Sequence, residues 1–148
     1  MLSRYFWLGW VWVGICLTLN SAAGLLAADS PLDDLPLIQK NLAEKKAILI
    51  DVRSKKEWDA GHLRDAVHLP LDEIKAAAKE PAELSKLLAG KIPAEPADLI
   101  IYVHCAAGVR SKQACKLCAD LPYKLEPLRT GYEELLEAGF APAEEKQK

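Results

Sequence analysis

Short runs of apolar residues alternate with segments of helical periodicity along most of this chain. The runs at residues 47–52 and 99–103 are rich in Ile, Leu and Val. Such nearly continuous apolar runs are typical of strands that are buried on both faces of a parallel sheet. Strands that alternate with helices predict one α/β domain with a mainly parallel sheet.

The remaining predicted elements follow from apolar spacing and from Gly and Pro stops. Further strands are predicted at residues 66–69 and 123–128. Neither an internal repeat nor a Gly- or Ser-rich linker divides the sequence. We therefore expect one domain over residues 29–140, followed by a polar tail over 141–148. Its helices are predicted at residues 35–45, 57–60, 72–79, 82–88, 108–121 and 132–138.

Residues 1–28 have the layout of a segment that directs export. Arg4 precedes fifteen uncharged residues, 5–19, and small residues follow at 21–24 and 27–28. A basic start, an apolar stretch and then small residues are typical of a signal peptide. The alternative is an uncleaved N-terminal anchor, for which the apolar stretch by itself is short. Both interpretations predict an exported protein, periplasmic or secreted, and membrane-anchored only if the leader is retained.

Charge and cysteine content exclude several classes of protein. A formal net charge of -2 leaves no basic surface for nucleic acid, and 51% hydrophobic residues exclude a disordered chain. Four cysteines are too few for a disulfide scaffold. Loss of the leader would remove Cys16 and leave Cys105, Cys115 and Cys118. An odd number of exported thiols leaves at least one unpaired, and that thiol is expected to be buried or reactive.

The residues directly after the second apolar run are candidates for chemistry, since parallel sheets bind ligands at the carboxyl ends of their strands. Cys105 is followed by Ala106, Ala107 and Gly108. Their small side chains allow backbone N–H groups and the start of the next helix to approach the sulfur and favour its thiolate. Arg110 adds a cation suited to an oxyanion. The pattern predicts an activated nucleophile; the alternative is a buried cysteine before an ordinary helix.

Two motifs lie at the ends of predicted strands. One is Cys105-x-x-Gly108-x-Arg110-Ser111, and the other reads DVRSxxEWxxGHLxxAxxLP over residues 51–70. Together they resemble the active-site loop and the upstream signature of single-domain rhodaneses, a family of sulfurtransferases. A weaker similarity is carried by residues 130–132 and 138–139, and the resemblance as a whole covers about residues 35–140.

The resemblance implies a rhodanese-like α/β fold: a mainly parallel sheet of about five strands flanked by helices on both faces. It also implies that the Cys105 thiolate takes a sulfane sulfur from an anionic donor such as thiosulfate. The resulting persulfide would pass that sulfur to a thiol or to cyanide, without a metal or an organic cofactor. Arg110 would receive the donor's oxygens. The implied substrate-binding loop is Ala106, Ala107, Gly108, Val109 and Arg110.

Several expectations concern the surroundings of this loop. Arg53 and Arg129 follow predicted strand ends and are expected to line the pocket rim. Only residues 29–34 could supply the first edge strand that is usual in the family, so that strand is expected to be missing or irregular. We expect a monomer that acts on small molecules and has no nucleic-acid partner, and no membrane partner once the leader is cleaved.

Alternative functions are kept open by the same residues. His104-Cys105 and Arg110-Ser111 resemble both ends of the loop of cysteine-type phosphatases, but four residues separate Cys105 from Arg110, where those enzymes have five. A non-catalytic or redox thiol-binding module is another alternative. Cys115-x-x-Cys118 falls in a predicted helix with an apolar face. We therefore expect these two cysteines to pack in the core rather than to form a disulfide or bind zinc.

Overall fold

Four parallel strands form one sheet in the part of the chain that the structure, a computed structural model, describes, which is residues 33–92 and 99–144. Every pairing between neighbours is parallel. The predicted leader at 1–28 and most of the candidate edge strand lie outside the described residues. The sheet order is β2-β1-β3-β4, formed by β1 (Ala47–Asp51), β2 (Ala66–His68), β3 (Ile100–Cys105) and β4 (Lys124–Gly131).

Helices connect the strands, and side chains that cap their first turns fix where two of them begin. The Asp34 carboxylate accepts from the Leu37 N–H at the start of the first helix. Ser54 and Glu57 form a capping box at the start of the second. The described helices are α1 (Leu35–Ala43), α2 (Lys55–Ala60), α3 (Leu71–Ala77), α4 (Pro81–Ala89), α5 (Val109–Leu117) and α6 (Tyr132–Glu137).

Apolar side chains cover both faces of the sheet, because successive residues of a strand point to opposite faces. Ile50 packs in a cluster with residues of α3, α4 and α5. Leu49, the residue before it, packs in a second cluster with residues of α1 and α6. The predicted parallel α/β sheet with helices on both faces is therefore confirmed. None of the described helices has the length and apolar character needed to span a bilayer.

The strand count differs from the prediction, and two element ends lie three or more residues from their predicted positions. The described residues hold four strands rather than about five, and Asp33 and Asp34 lie in no strand. Helix α5 ends at Leu117 instead of residue 121. Cys118 already leaves the helical conformation (φ -100°, ψ 8°), and Pro122 disfavours that conformation at residue 121.

Strand β4 runs three residues beyond its predicted end, to Gly131. Its last residues are held by a distant side chain: the Asp33 carboxylate accepts from the N–H groups of Arg129 and Thr130 (2.8 Å each) and from the Thr130 hydroxyl (2.7 Å). Arg129 therefore lies inside a strand and does not follow its carboxyl end. A contact between residues nearly a hundred positions apart leaves no local pattern from which this extension could be predicted.

Candidate active site

Cys105 is the last residue of β3 and lies beside Gly131 of β4. Cys105 is almost completely buried, with 1% of its surface exposed. Three residues then lead into α5, and Gly108 caps that helix in the left-handed conformation (φ 75°) without a side-chain acceptor. The unpaired N–H groups of the first turn of α5 are thus left for another acceptor.

The Cys105 sulfur is that acceptor. Backbone N–H groups of Ala107, Gly108, Arg110 and Ser111 donate hydrogen bonds to it. Burial alone raises the pKa of the thiol, but these four hydrogen bonds outweigh burial and hold the pKa below its ordinary value of 9.0. The main chain after β3 therefore surrounds the Cys105 sulfur with donors that lower the pKa of its thiol.

The loop that supplies these donors is seated directly on the end of β4. A Cβ atom added to Gly131 would collide with the carbonyl oxygen of Ala106, and one added to Gly108 would lie 2.8 Å from the Arg129 Cα atom. The Ser111 hydroxyl lies 2.8 Å from the carbonyl oxygens of both Gly108 and Leu128. The shape of the loop thus depends on close packing against β4 as well as on its own small residues.

Arg110, predicted to receive the donor's oxygens, is engaged by a carboxylate from α2. Its Nη1 donates to Glu57 Oε2 and its Nη2 to Glu57 Oε1, both at 2.7 Å. Hydrogen bonding to Arg110 holds the pKa of Glu57 far below its ordinary range, and the same contact raises the pKa of Arg110. Both groups are therefore charged at every physiological pH, and each offsets the other's charge.

Arg53 is buried in a similar pair. Its Nη2 lies 2.7 Å from Asp51 Oδ2 and donates to the Gly61 carbonyl (2.8 Å), and its guanidinium stacks 3.9 Å from the centre of the Tyr132 ring. Arg53 also lines a cavity of about 290 Å³ together with Glu57 and Ala106. It therefore borders a pocket beside the loop, as expected of a rim residue, but its charge is compensated by Asp51.

Arg129 borders a different cavity. That cavity has a volume of about 460 Å³ and is lined by Arg129 together with Asp33, at the start of α1, and Lys112 of α5. The two arginines predicted to share one pocket rim are therefore separated. What Arg129 contributes to the loop is its backbone, against which Gly108 packs.

The exposed side of the loop consists of small or apolar side chains. Ala106, Ala107 and Val109 are exposed, the last at 75%, whereas Gly108 is buried. Arg110 is half-buried. Cys105 itself is 1% exposed, so the surrounding residues cover almost all of its surface.

His104 precedes Cys105, but it is not one of the residues whose N–H groups donate to the Cys105 sulfur. It is fully buried, its ring nitrogens make no hydrogen bond among the described residues, and Nε2 lies 3.8 Å from Asp51 Oδ2. Burial lowers the pKa of this imidazole. Within the described residues, 33–92 and 99–144, no group of three or more His, Cys, Asp or Glu is placed to hold a metal ion.

Cys115 and Cys118 lie at the end of α5 as free thiols, and Cys118 packs in the same core cluster as Cys105. Burial raises the pKa of Cys115 to about 12 and that of Cys118 to about 11. Both thiols are therefore protonated at neutral pH, in keeping with the predicted role in core packing.

Three residues of the site lie in the motifs described above, but no role was predicted for them. They are Glu57, which pairs with Arg110, Gly131, which the loop touches, and Tyr132, which stacks on Arg53. The spacing Ser54-x-x-Glu57 signals a capping box and so predicts the position of the Glu57 carboxylate at the start of a helix. No sequence signal connects that carboxylate with an arginine 53 residues further along.

Comparisons with known proteins agree with this geometry. A family model of the rhodanese-like domain matches residues 35–138. The human thiosulfate:glutathione sulfurtransferase is 33% identical over 97 residues, which span 65% of this chain and 84% of that protein.

Solved structures show the same fold. The human single-domain sulfurtransferase superposes with a TM-score of 0.57 at 33% identity, over 73% of this chain and 96% of that one. A rhodanese-related protein from Thermoplasma volcanium superposes with a TM-score of 0.54 at 20% identity, over 74% and 93% of the two chains. The chain therefore belongs to the rhodanese-like domain family and is a sulfurtransferase of that family.

Proposed function

We propose that Cys105 is the nucleophile of this sulfurtransferase and carries the transferred sulfur as a persulfide. The observation that supports this proposal most directly is the set of four backbone N–H groups that donate to its sulfur. Such donors stabilise a thiolate before the reaction and can stabilise the terminal sulfur of a persulfide after it. The loop residues 106–110 would then form the substrate-binding surface.

The proposed donor is thiosulfate. The Cys105 thiolate attacks the outer sulfur of the donor, a new S–S bond forms, the S–S bond of thiosulfate breaks, and sulfite leaves with the electron pair of the broken bond. Three negative charges stand on each side of this step, so no proton or external electron is required. The thiolate state favoured by the loop is the reactive form.

The proposed acceptor is a thiol, as in the name of the human thiosulfate:glutathione sulfurtransferase, with cyanide as an artificial acceptor. An acceptor thiolate attacks the outer sulfur of the persulfide and leaves with it, which returns Cys105 to its thiolate. Val109 and the two exposed alanines of the loop offer no charge that would select one acceptor. We therefore expect cyanide and small thiols such as glutathione to discharge the same intermediate.

The test is the intact mass of the protein after incubation with thiosulfate and removal of excess donor. We expect a gain of one sulfur atom that is lost on addition of cyanide or glutathione. Cys105→Ser should show no gain and should lose sulfur transfer while it keeps its circular dichroism spectrum, because serine cannot carry the sulfur. Cys115→Ser is the matched control and should gain sulfur like the wild type.

A persulfide that forms equally in Cys105→Ser would assign the chemistry to another thiol. Failure of the wild type to gain sulfur, combined with hydrolysis of an aryl phosphate, would favour the phosphatase alternative. Failure of both reactions would favour a thiol-binding module.

We also propose that the protein is exported and acts as a monomer in the periplasm or outside the cell. The order of charge, apolar stretch and small residues in 1–28 supports export. Cell fractionation followed by N-terminal sequencing tests export: a mature protein that begins after the small residues supports it, and a full-length cytoplasmic protein contradicts it.

A further inference from the structure

Arg110 lies in the loop whose backbone N–H groups surround the Cys105 sulfur, and its guanidinium interacts electrostatically with the Cys105 thiolate. Both of its outer nitrogens are occupied by the Glu57 carboxylate at 2.7 Å. Glu57, and not Arg110, lines the 290 Å³ cavity beside the loop. A donor that enters this cavity therefore meets the carboxylate before it meets the arginine.

The carboxylate is held in this position from a second side. Ser54 donates to Glu57 Oε2 through its N–H (3.0 Å) and through its hydroxyl (2.6 Å), as part of the capping box of α2. Glu57 thus cannot rotate away from Arg110 without loss of the cap as well as the ion pair. The neutralisation of Arg110 is a built-in property of the resting site.

The other charged residues around the cavity do not give the site a net positive charge. The cavity is also lined by Arg53, which is paired with Asp51 behind it, and by Glu133. Together with the Arg110 pair, the site holds two cations and three carboxylates, a formal sum of -1. Opposed carboxylates reduce the attraction of a site for an anion, and reduce it most for a dianion.

We propose that Glu57 is a specificity-determining residue: by neutralising Arg110 it reduces the preference of the site for doubly charged donors relative to singly charged ones. The proposal rests on the proposed function, because it concerns the donor of that reaction. Glu57 acts through Arg110 and does not contact the reacting sulfur, so it is a positioning residue rather than a catalytic one.

The test compares thiosulfate, a dianion, with methanethiosulfonate, a monoanion that presents the same kind of outer sulfur. In Glu57→Gln, the loss of one carboxylate charge near the donor should raise kcat/KM by about threefold for each negative charge of the donor at low salt. The ratio of kcat/KM for thiosulfate to that for methanethiosulfonate should therefore rise by about threefold. High salt should reduce the effect, since both side chains of the pair are about one third exposed.

The matched control is Asp59→Asn. Asp59 lies on the same helix and its removal changes the net charge equally, but it is exposed and paired with Lys55. Its substitution should leave the donor ratio unchanged. Glu57→Asp keeps the charge and should retain a ratio near that of the wild type, whereas Arg110→Gln leaves Glu57 uncompensated and should lower the ratio below it.

A second readout does not depend on sulfur transfer. The rate of Cys105 alkylation by iodoacetamide as a function of pH should shift to lower pH in Glu57→Gln, because Arg110 then acts on the thiolate without opposition, and should not shift in Asp59→Asn. The charged groups around the loop are Arg110, which interacts with Cys105, and its partner Glu57. The cavity beside the loop adds Arg53, which is paired with Asp51, and Glu133.

An unchanged donor ratio and an unchanged alkylation profile in folded Glu57→Gln would overturn the inference, as would an equal response of Asp59→Asn. If Glu57→Gln does not fold, an unchanged donor ratio in Arg110→Gln overturns it instead. Absence of a persulfide in the wild type would overturn the proposed function, and the alkylation profile would then still decide whether Glu57 governs the charge around Cys105.

Discussion

The three thiols of the described residues differ in the direction in which their surroundings shift the pKa. Burial raises the pKa of each. Only one backbone hydrogen bond opposes this effect at Cys115 and none does at Cys118, so their pKa values reach about 12 and 11. Cys105 is also buried, but four backbone N–H groups donate to its sulfur and lower its pKa instead. The difference comes from the main chain around the sulfur and not from exposure.

This contrast predicts the order in which the thiols react with iodoacetamide. Because the pKa of Cys105 lies below its ordinary value of 9.0, Cys105 is ionised in a pH range where an ordinary thiol and the other two are protonated. We expect its alkylation rate to level off below pH 9.0 while Cys115 and Cys118 remain unmodified. Peptide mass spectrometry after timed alkylation measures this, and preferential labelling of Cys115 would contradict it.

Arg53 offers a second prediction at this scale, because it compensates a fully buried carboxylate. Arg53→Ala would leave Asp51 charged and without its partner, a change that typically costs about 3–5 kcal/mol of stability. Urea unfolding followed by circular dichroism measures the loss. Lys55→Ala, which breaks an exposed ion pair on α2, is the control and should change stability by less than about 1 kcal/mol. A small loss for Arg53→Ala would mean that Asp51 is stabilised by other groups.

At the scale of elements, the loop after β3 is shaped by its packing against strand β4. Gly131 has an ordinary φ of -82°, so its requirement for glycine is one of space and not of backbone conformation. A methyl group at that position would overlap the Ala106 carbonyl. The loop after β3 therefore packs directly against the end of strand β4 and takes its shape from that contact.

Gly131→Ala should accordingly displace the loop and reduce sulfur transfer by more than about tenfold, since loss of a single main-chain donor in comparable sites costs at least that much. Gly90→Ala is the control: its added Cβ would lie no closer than 3.4 Å to another atom, the Lys86 carbonyl oxygen. We expect Gly90→Ala to retain full activity. Equal activity of Gly131→Ala and the wild type would show that the loop adjusts without loss of its donors.

Helix α5 offers a second prediction at the scale of elements. Cys115→Ala combined with Cys118→Ala removes two sulfur atoms from the core side of α5 but leaves its first turn intact. We expect most of the sulfurtransferase activity to remain and the stability to fall by about 1–2 kcal/mol, because small core cavities cost energy. A folded but inactive double variant would show that these thiols take part in the reaction.

At the scale of the whole molecule, the site exists because parallel strands end at one edge of the sheet. Asp51 ends β1, Cys105 ends β3 and Gly131 ends β4, so residues far apart in sequence converge there. The loop after β3 then meets α2 through Glu57 and α6 through the cavity that Tyr132 lines. A parallel sheet places ligand sites at this edge as a general rule.

Much of this arrangement could be predicted from the sequence. The apolar runs at 47–52 and 99–103 correspond to β1 and β3, and the position of Cys105 after the second run correctly predicted a cysteine under main-chain donors. These features are local: a buried strand, a run of small residues and a helix start each leave a pattern within about ten neighbouring residues.

The charge balance of the site could not be predicted in that way. The sequence alone determined that a thiolate would be favoured at Cys105, because the donors come from the six residues that follow it. Only the tertiary structure decided that Arg110 is neutralised by Glu57, that Arg53 and Arg129 border different cavities, and that Asp33 extends β4. Ion pairs and strand ends of this kind depend on which distant residues the folded chain brings together, and sequence spacing carries no record of those distances.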